Sequence, residues 1–399
     1  MQAVVFHDVG DIRLEEVEEP VLQSSTDAIV RITTSAICGT DLHFIRGTVP
    51  GMRPGTILGH EAVGIVEQIG EDVRNFRIGD RVVIPSTIAC GYCSYCRSGY
   101  FAQCDNANPN GKQGGTSFYG GPEPTGPFHG LQAEKARVPF AAVNLFKLPD
   151  TITDDQAILL SDIFPTGYFG AELADIKYGH SVAVFGCGPV GQFAIASAKL
   201  MGAGRVFAID TVEDRLDIAR MQCAEVINFN KDDPVKKLRD LTGGIGPDCA
   251  IDAVGVDAEC PHGQNSTARY EQERAEVAPV QNPDGDLWQP GSAPSQSLRW
   301  AAEALAKAGT LAIIGVYPPS DTTFPIGLAM NRNLTVRMGN CNHRKYLPRL
   351  IELVASGSID PRQFITQNEH MGSVLDAYEQ FDTRQPGWLK ATVRPASAN

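Results

Sequence analysis

The sequence predicts an α/β protein in two parts: a β-rich, barrel-like domain, and a doubly wound parallel sheet covered by helices on both faces. Three observations predict this. The chain has 399 residues, beyond the size at which a single core stops growing, so two domains are expected. Up to about residue 150 it is built of short β-branched runs broken by glycine, whereas from about Gly179 strand-like and helix-like segments alternate, the rhythm of βαβ units. Finally, a glycine-rich hexapeptide, Gly186 to Gly191, falls between one such strand and the helix after it.

The elements follow in order. Val4-Val5-Phe6, Ala28 to Ile32, Ala62 to Val66 and Arg81 to Ile84 are rich in valine and isoleucine and read as strands of the first domain. Ser181 to Phe185 is a strand, Val190 to Met201 a helix and Arg205 to Ile209 a strand again; Cys249 to Ile251 and Thr310 to Ile314 continue the alternation. A helix over Tyr346 to Ala355 and a last strand at Ala391 to Val393 complete the pattern. The tail is expected to return to the first domain, which then comprises 1–163 and 341–399 around a second domain of 164–340. Two segments break the rhythm: 107–130, rich in glycine, proline and aromatics, and a polar insertion at about 257–297 with no sustained periodicity. Loops of that length are usually functional or disordered.

Composition excludes several classes. The net charge of −13 argues against a sequence-independent grip on nucleic acid, which needs a basic face. No apolar run approaches the ~20 residues of a membrane span, and the start has no basic segment followed by an apolar core. A cytoplasmic protein is expected, in which cysteines are thiols or metal ligands. Four of them form Cys90-Gly-Tyr-Cys93-Ser-Tyr-Cys96 and, after seven residues, Cys104. Thiolates at that spacing close a tetrahedral zinc shell and leave no open position, so the lobe at about 88–106 is expected to clamp structure without doing chemistry.

Gly186-Cys187-Gly188-Pro189-Val190-Gly191 matches G-x-G-x-x-G in the required strand-to-helix context. The first glycine permits the turn, the second the approach of a pyrophosphate, the third the packing of helix on strand. This predicts a Rossmann dinucleotide site. Asp210 ends the next strand about twenty residues further on, placed to accept from ribose hydroxyls and to repel a 2′-phosphate. NAD is therefore expected over NADP. Arg215 reads either as a flank of the same ribose or as a solvated helix charge.

Cys38-Gly39-Thr40-Asp41-Leu42-His43 and Gly59-His60-Glu61 are compact polar groups in apolar, strand-rich surroundings. Taken singly, each residue reads as an ordinary core or surface group. Together with the cysteine lobe and the Gly186 to Gly191 fingerprint, in that order along nearly the whole chain, they resemble the zinc-dependent medium-chain alcohol dehydrogenases. The resemblance implies a GroES-like catalytic domain beside the Rossmann domain. It implies a catalytic zinc on Cys38 and His60, with Glu61 beside it, and a second, structural zinc on Cys90, Cys93, Cys96 and Cys104. It also implies that Thr40 bonds the substrate oxygen, that His43 passes its proton on through the cofactor ribose, and that Thr166 positions the nicotinamide. The third ligand in much of the family is a cysteine four residues before a Thr-Gly pair. Here Ser161-Asp162-Ile163-Phe164-Pro165-Thr166-Gly167 puts Asp162 there, as in the branch with glutathione-independent formaldehyde dehydrogenase and formaldehyde dismutase.

An NAD-dependent zinc enzyme interconverting an alcohol and an aldehyde or ketone, as a homo-oligomer, is thus expected. A formaldehyde dehydrogenase or dismutase with tightly bound NAD is the alternative. A non-catalytic nucleotide-binding protein is a remote one, opposed by the intact polar set. Substrate is weakly encoded: residues near Ser86, Thr87, Phe118, Tyr119, Phe128 and His129 are expected to line the pocket, with room at Ser86 and Thr87. The insertion reads as a cover over the adenosine half of NAD, as an oligomer contact or as a disordered flap.

Overall fold

The computed structural model describes residues 1–263, 267–278, 287–321 and 323–395. The chain divides into two compact units: Met1–Pro165 with Cys341–Asn399 and a short piece ending at Trp288, and Thr166–Gln281 with Gln289–Asn340.

The first unit is built on a sheet in the order Gln367–His370, Ala391–Arg394, Ala28–Ala36, Ala62–Ile69, Arg81–Ile84, Phe146–Lys147, with Lys135–Val138 also paired to Ala28–Ala36. A three-stranded sheet of Asp11–Glu16, Gln2–Asp8 and Thr56–Ile57 accompanies it. The alternating β-branched residues account for this. Val30, Ile32, Val66, Val82 and Ile84 share one buried cluster with Tyr119, as period-2 patterning on a half-buried sheet requires. The tail strand pairs antiparallel with Ala28–Ala36, Thr392 opposite Ala36. The unit is therefore discontinuous in sequence.

The second unit holds a six-stranded, all-parallel sheet in the order Glu225–Asn228, Arg205–Asp210, Ser181–Phe185, Cys249–Asp252, Thr310–Ile313, Thr335–Met338. Numbered within the unit this is 3-2-1-4-5-6, the Rossmann order, with its topological switch beside the first strand. Both faces are buried. Val182, Val184, Val206 and Ile251 pack on one side, and Ala183, Phe185, Phe207 and Ala250 on the other. Strands covered twice read as continuous apolar runs, which is why the four inner ones were legible; the edge strands Glu225–Asn228 and Thr335–Met338 are more exposed and were not read.

The polar insertion is more ordered than its sequence suggests. Ala268–Val277 is a helix capped by Thr267, whose side chain accepts from the Tyr270 amide. Alanine, glutamate, glutamine and arginine favour helix by propensity, but few apolar residues mark a face. Residues 264–266 and 279–286 lie outside the described residues. At the far end the chain joins the first unit: buried Trp288 packs with Val374, Tyr378 and Phe381, and its amide donates to Asp382 Oδ2 at 2.8 Å. That part of the insertion belongs to the core of the first unit, because an indole of this size is placed by apolar packing.

Candidate active site

Strand pairing brings the first group of site residues together. Ala28–Ala36 runs antiparallel to Ala62–Ile69 with Ser35 opposite Ala62, so Cys38, just past one strand, and His60 and Glu61, just before the other, share one end of the sheet. The third strand joins them there, since Ala62 is opposite Ile84 and Ser86 follows two residues later. Ser86 N then donates to Ser161 O at 3.1 Å, which delivers Asp162 to the same place.

Donor atoms of Cys38, His60, Glu61 and Asp162 all lie within 4.8 Å of one another. Asp162 Oδ2 is 3.4 Å from His60 Nε2 and 3.7 Å from Cys38 Sγ. Glu61 Oε2 is buried with no hydrogen-bond partner, an arrangement that is costly unless a cation faces it. The surroundings of His60 demand positive charge. Burial opposes its protonation, yet the charges of Asp41 and Cys38 hold its pKa well above the ordinary range. Asp162 is pulled the other way: burial would raise it, but His343 and His60 keep it well below the usual carboxylate range. A buried cysteine sulfur, imidazole and carboxylate are donor types that fit zinc.

The groups that orient these donors went unread in the sequence. Asp41 Oδ1 stands 3.0 Å from His60 Nδ1 while its Oδ2 accepts from the Cys38 amide at 3.0 Å, so one carboxylate positions two of the clustered donors. It can do so because Gly39–Ile45 is a helix starting at Cys38, which puts Asp41 in the first turn. Lys390, fully buried, donates to Glu61 Oε1 at 2.5 Å and to Ile37 O at 2.9 Å. Burial works against a charged amine, but the Glu61 carboxylate outweighs it and raises Lys390. No local pattern marks Lys390: it is an isolated lysine beside a strand, 329 residues from its partner.

Thr40 and His43 lie on the same short helix, the first half-buried and the second buried. Of the residues expected near the pocket, Tyr119 is fully buried in the core of the first unit, and the hydroxyls of Ser86 and Thr87 are engaged with His343 at 3.1 and 3.0 Å.

The four clustered cysteines meet as a second group, likewise within 4.8 Å. All are free thiols, and Cys93 Sγ lies 3.9 Å from Cys104 Sγ; sulfurs on a tetrahedral zinc would stand roughly 3.8 Å apart. Amides point at the sulfurs, from Cys90 to Cys104 (3.2 Å), Cys93 to Cys90 (3.4 Å) and Cys96 to Cys93 (3.4 Å). Such donors stabilise thiolates. Burial opposes ionisation of Cys93, but the Cys96 and Asp105 amides outweigh it and bring the thiol to about 7.

In the second unit, Gly186 has φ +88°, and a Cβ at Gly191 would fall 1.9 Å from Gly186 O. Neither position tolerates a side chain. Gly188 caps the helix Pro189–Leu200, and a Cβ there would meet only Arg215 Nη1, at 3.9 Å, so the helix N-terminus is open to an anion. Asp210, 7% exposed, has a structural duty besides: it accepts from the amides of Cys187 (2.7 Å), Thr211 (2.7 Å) and Val212 (3.0 Å). That uses three of the roughly four acceptor positions of a carboxylate. Its charge remains beside the glycine turn.

Comparison with known proteins agrees with this geometry. Residues 24–150 match the family described as "Alcohol dehydrogenase GroES-like domain", and residues 189–270 match "Zinc-binding dehydrogenase". The zinc-type alcohol dehydrogenase-like protein AdhB of Bacillus subtilis is 35% identical over 99% of this chain and 100% of its own. The glutathione-independent formaldehyde dehydrogenase of Pseudomonas aeruginosa is 34% identical over 85% of this chain and 80% of its own. Among solved structures, the alcohol dehydrogenase TADH from Thermus sp. ATN1 superposes with a TM-score of 0.81 at 33% identity, covering 99% of this chain and 100% of that one. With two buried donor clusters suited to two zinc ions and a catalytic unit followed by a Rossmann unit, the chain belongs to the zinc-dependent medium-chain alcohol dehydrogenase family.

Proposed function

We propose that the protein oxidises a small or medium alcohol reversibly, with NAD as hydride acceptor, and that Cys38, His60 and Asp162 hold the working zinc with Glu61 beside it. The observation that carries this reading is the meeting of one thiol, one imidazole and two carboxylates in a single buried cluster. Zinc, when bound, supplies the Lewis acidity that eases loss of a hydroxyl proton. Cys38 and Asp162 contribute the two negative charges that balance a dication, and Asp41 fixes the ring of His60 so that Nε2 faces the cation. Thr40 bonds the substrate hydroxyl, and His43, one turn later on the same helix, moves the proton onward. Thr166 positions the nicotinamide. Gly186, Gly188, Pro189, Val190 and Gly191 receive the pyrophosphate, with Arg215 at the edge of that cradle. Copies associate as a homo-oligomer in a reducing cytoplasm.

Asp210 sets the choice of nucleotide. Replacing its charge should reduce discrimination against the 2′-phosphate by about ten- to a hundredfold, the worth of a charge-assisted interaction of roughly 1.5–3 kcal/mol. In Asp210→Ser both rates are expected to fall, because three amides lose their acceptor, so the ratio of kcat/KM with NAD to that with NADP is the quantity to measure. An unchanged preference for NAD would sink this assignment.

A second reading, dismutation of formaldehyde with retained nucleotide, in which one molecule is oxidised to formate while another is reduced to methanol, is supported by Asp162 in place of a cysteine and by the Pseudomonas relative. Supplying purified protein with formaldehyde and no added NAD separates the two. Steady release of methanol and formate selects the second. Turnover only once NAD and an alcohol are present is the expected result, and no oxidation under either condition overturns both.

A further inference from the structure

We propose that His343 is the positioning residue of the metal centre: with Ser86 it engages one oxygen of Asp162, so that the carboxylate offers the zinc a single oxygen. The inference rests on the reading of Asp162 as a zinc ligand. Its two oxygens have different neighbours. Oδ1 is 2.8 Å from His343 Nε2 and 3.1 Å from the Ser86 hydroxyl that donates to it, whereas Oδ2 faces His60 Nε2 at 3.4 Å and Cys38 Sγ at 3.7 Å. One oxygen is held by protein and the other is turned to the donor cluster.

Hydrogen-bond complementarity makes the arrangement specific. An ionised carboxylate only accepts, so His343 Nε2 donates to it, while Nδ1 on the other side of the ring is bonded to the Thr87 hydroxyl at 3.0 Å. Ser86 Oγ, 3.1 Å from Nε2, shares that one N–H with Asp162 Oδ1 while its own hydroxyl donates to Asp162. Every polar atom of this clamp has a partner. His343, Ser86 and Thr87 are all buried, where such networks are most rigid.

The imidazole is itself anchored on both sides. His343 opens the helix His343–Ala355. The preceding residue, Asn342, accepts from the Ala102 amide at 2.9 Å, in the turn Phe101–Gln103 just before Cys104. On the other side the Arg344 guanidinium donates to Val143 O. The clamp is thereby tied to the four-cysteine lobe, which acquires a part in aligning the catalytic ligands.

A carboxylate that binds through both oxygens occupies an extra position on the metal. Catalytic zinc sites keep three protein ligands and one open place. Holding Oδ1 away preserves that place for substrate. Partners of this kind usually contribute 10- to 100-fold to metal affinity.

Cobalt(II) placed in the catalytic site, with zinc kept in the cysteine lobe, tests this, because the intensity of its visible d–d bands falls several-fold when coordination rises from four to five. In His343→Ala the bands are expected to weaken and the catalytic metal to pass to a competing chelator about 10- to 100-fold more readily. His343→Gln, whose amide can donate to Oδ1, should restore both to within a few-fold. Ser86→Ala removes the second donor while opening little space; it should shift both readouts in the same direction and decides the matter should His343→Ala fail to fold. Unchanged bands and affinity in these variants, alongside loss of the catalytic metal in Asp162→Ala, would overturn the role of His343 alone. Full retention of metal in Asp162→Ala would overturn the ligand reading itself.

Discussion

Asp162→Ala is expected to purify with one zinc per chain in place of two and to lose at least roughly a thousandfold in kcat. The size follows from the several kcal/mol that a Lewis acid contributes to such a reaction, at tenfold in rate per 1.36 kcal/mol. The remaining zinc should resist chelation, because Cys90, Cys93, Cys96 and Cys104 form a separate cluster. Metal analysis by mass spectrometry and steady-state rates check both halves. Two zinc ions with unimpaired turnover would refute the assignment of Asp162.

Lys390→Met should destabilise the first unit by about 3–5 kcal/mol, the cost of removing one partner from a buried ion pair. Both side chains of the Lys390–Glu61 pair are fully buried. Without the amine, Glu61 keeps its charge in a site of low dielectric or must take up a proton; either is expensive. For a unit of this size the midpoint of thermal unfolding should fall on the order of 10 °C. Because the chain holds two units, a probe local to the first, such as the fluorescence of Trp288 and Trp388 with Trp300 of the second unit replaced by Phe, is preferable to a whole-molecule signal. The double variant Lys390→Met with Glu61→Leu should recover most of the stability while remaining poor in activity. A change below about 1 kcal/mol in the single variant, the worth of an exposed pair, would show that Glu61 does not depend on Lys390.

The legible parts of the site were those with short spacing. Cys90 to Cys104 and Gly186 to Gly191 declare themselves because zinc geometry and a strand-to-helix turn restrict nearby residues. The strands Arg81–Ile84 and Ser181–Phe185 were legible to the residue, since β-branched runs bounded by turns have few other uses. Asp41, Lys390 and His343 were not. The first sat in a polar group whose helical geometry was unread, and the others act across 329 and 181 residues of chain. Ser86 and Thr87 were read as small residues leaving room, whereas the structure employs their hydroxyls. Side-chain size is visible in a sequence; the partner that consumes a hydroxyl is not.

Taken alone, the sequence determined the α/β class, the change from a β-rich part to alternating strands and helices, and the residue types able to bind two metal ions and a dinucleotide. Those properties depend on neighbours a few residues apart, where periodicity and ligand spacing act directly. The tertiary structure decided which residues hold the clustered donors, Asp41 on His60, Lys390 on Glu61 and His343 on Asp162, and it placed Trp288 in the core of the first unit. These pairings exist because antiparallel register and the return of the tail strand bring distant segments to one end of a sheet. Burial there makes every unpaired charge costly. A lone lysine or histidine carries no mark of that cost until the chain has closed around it.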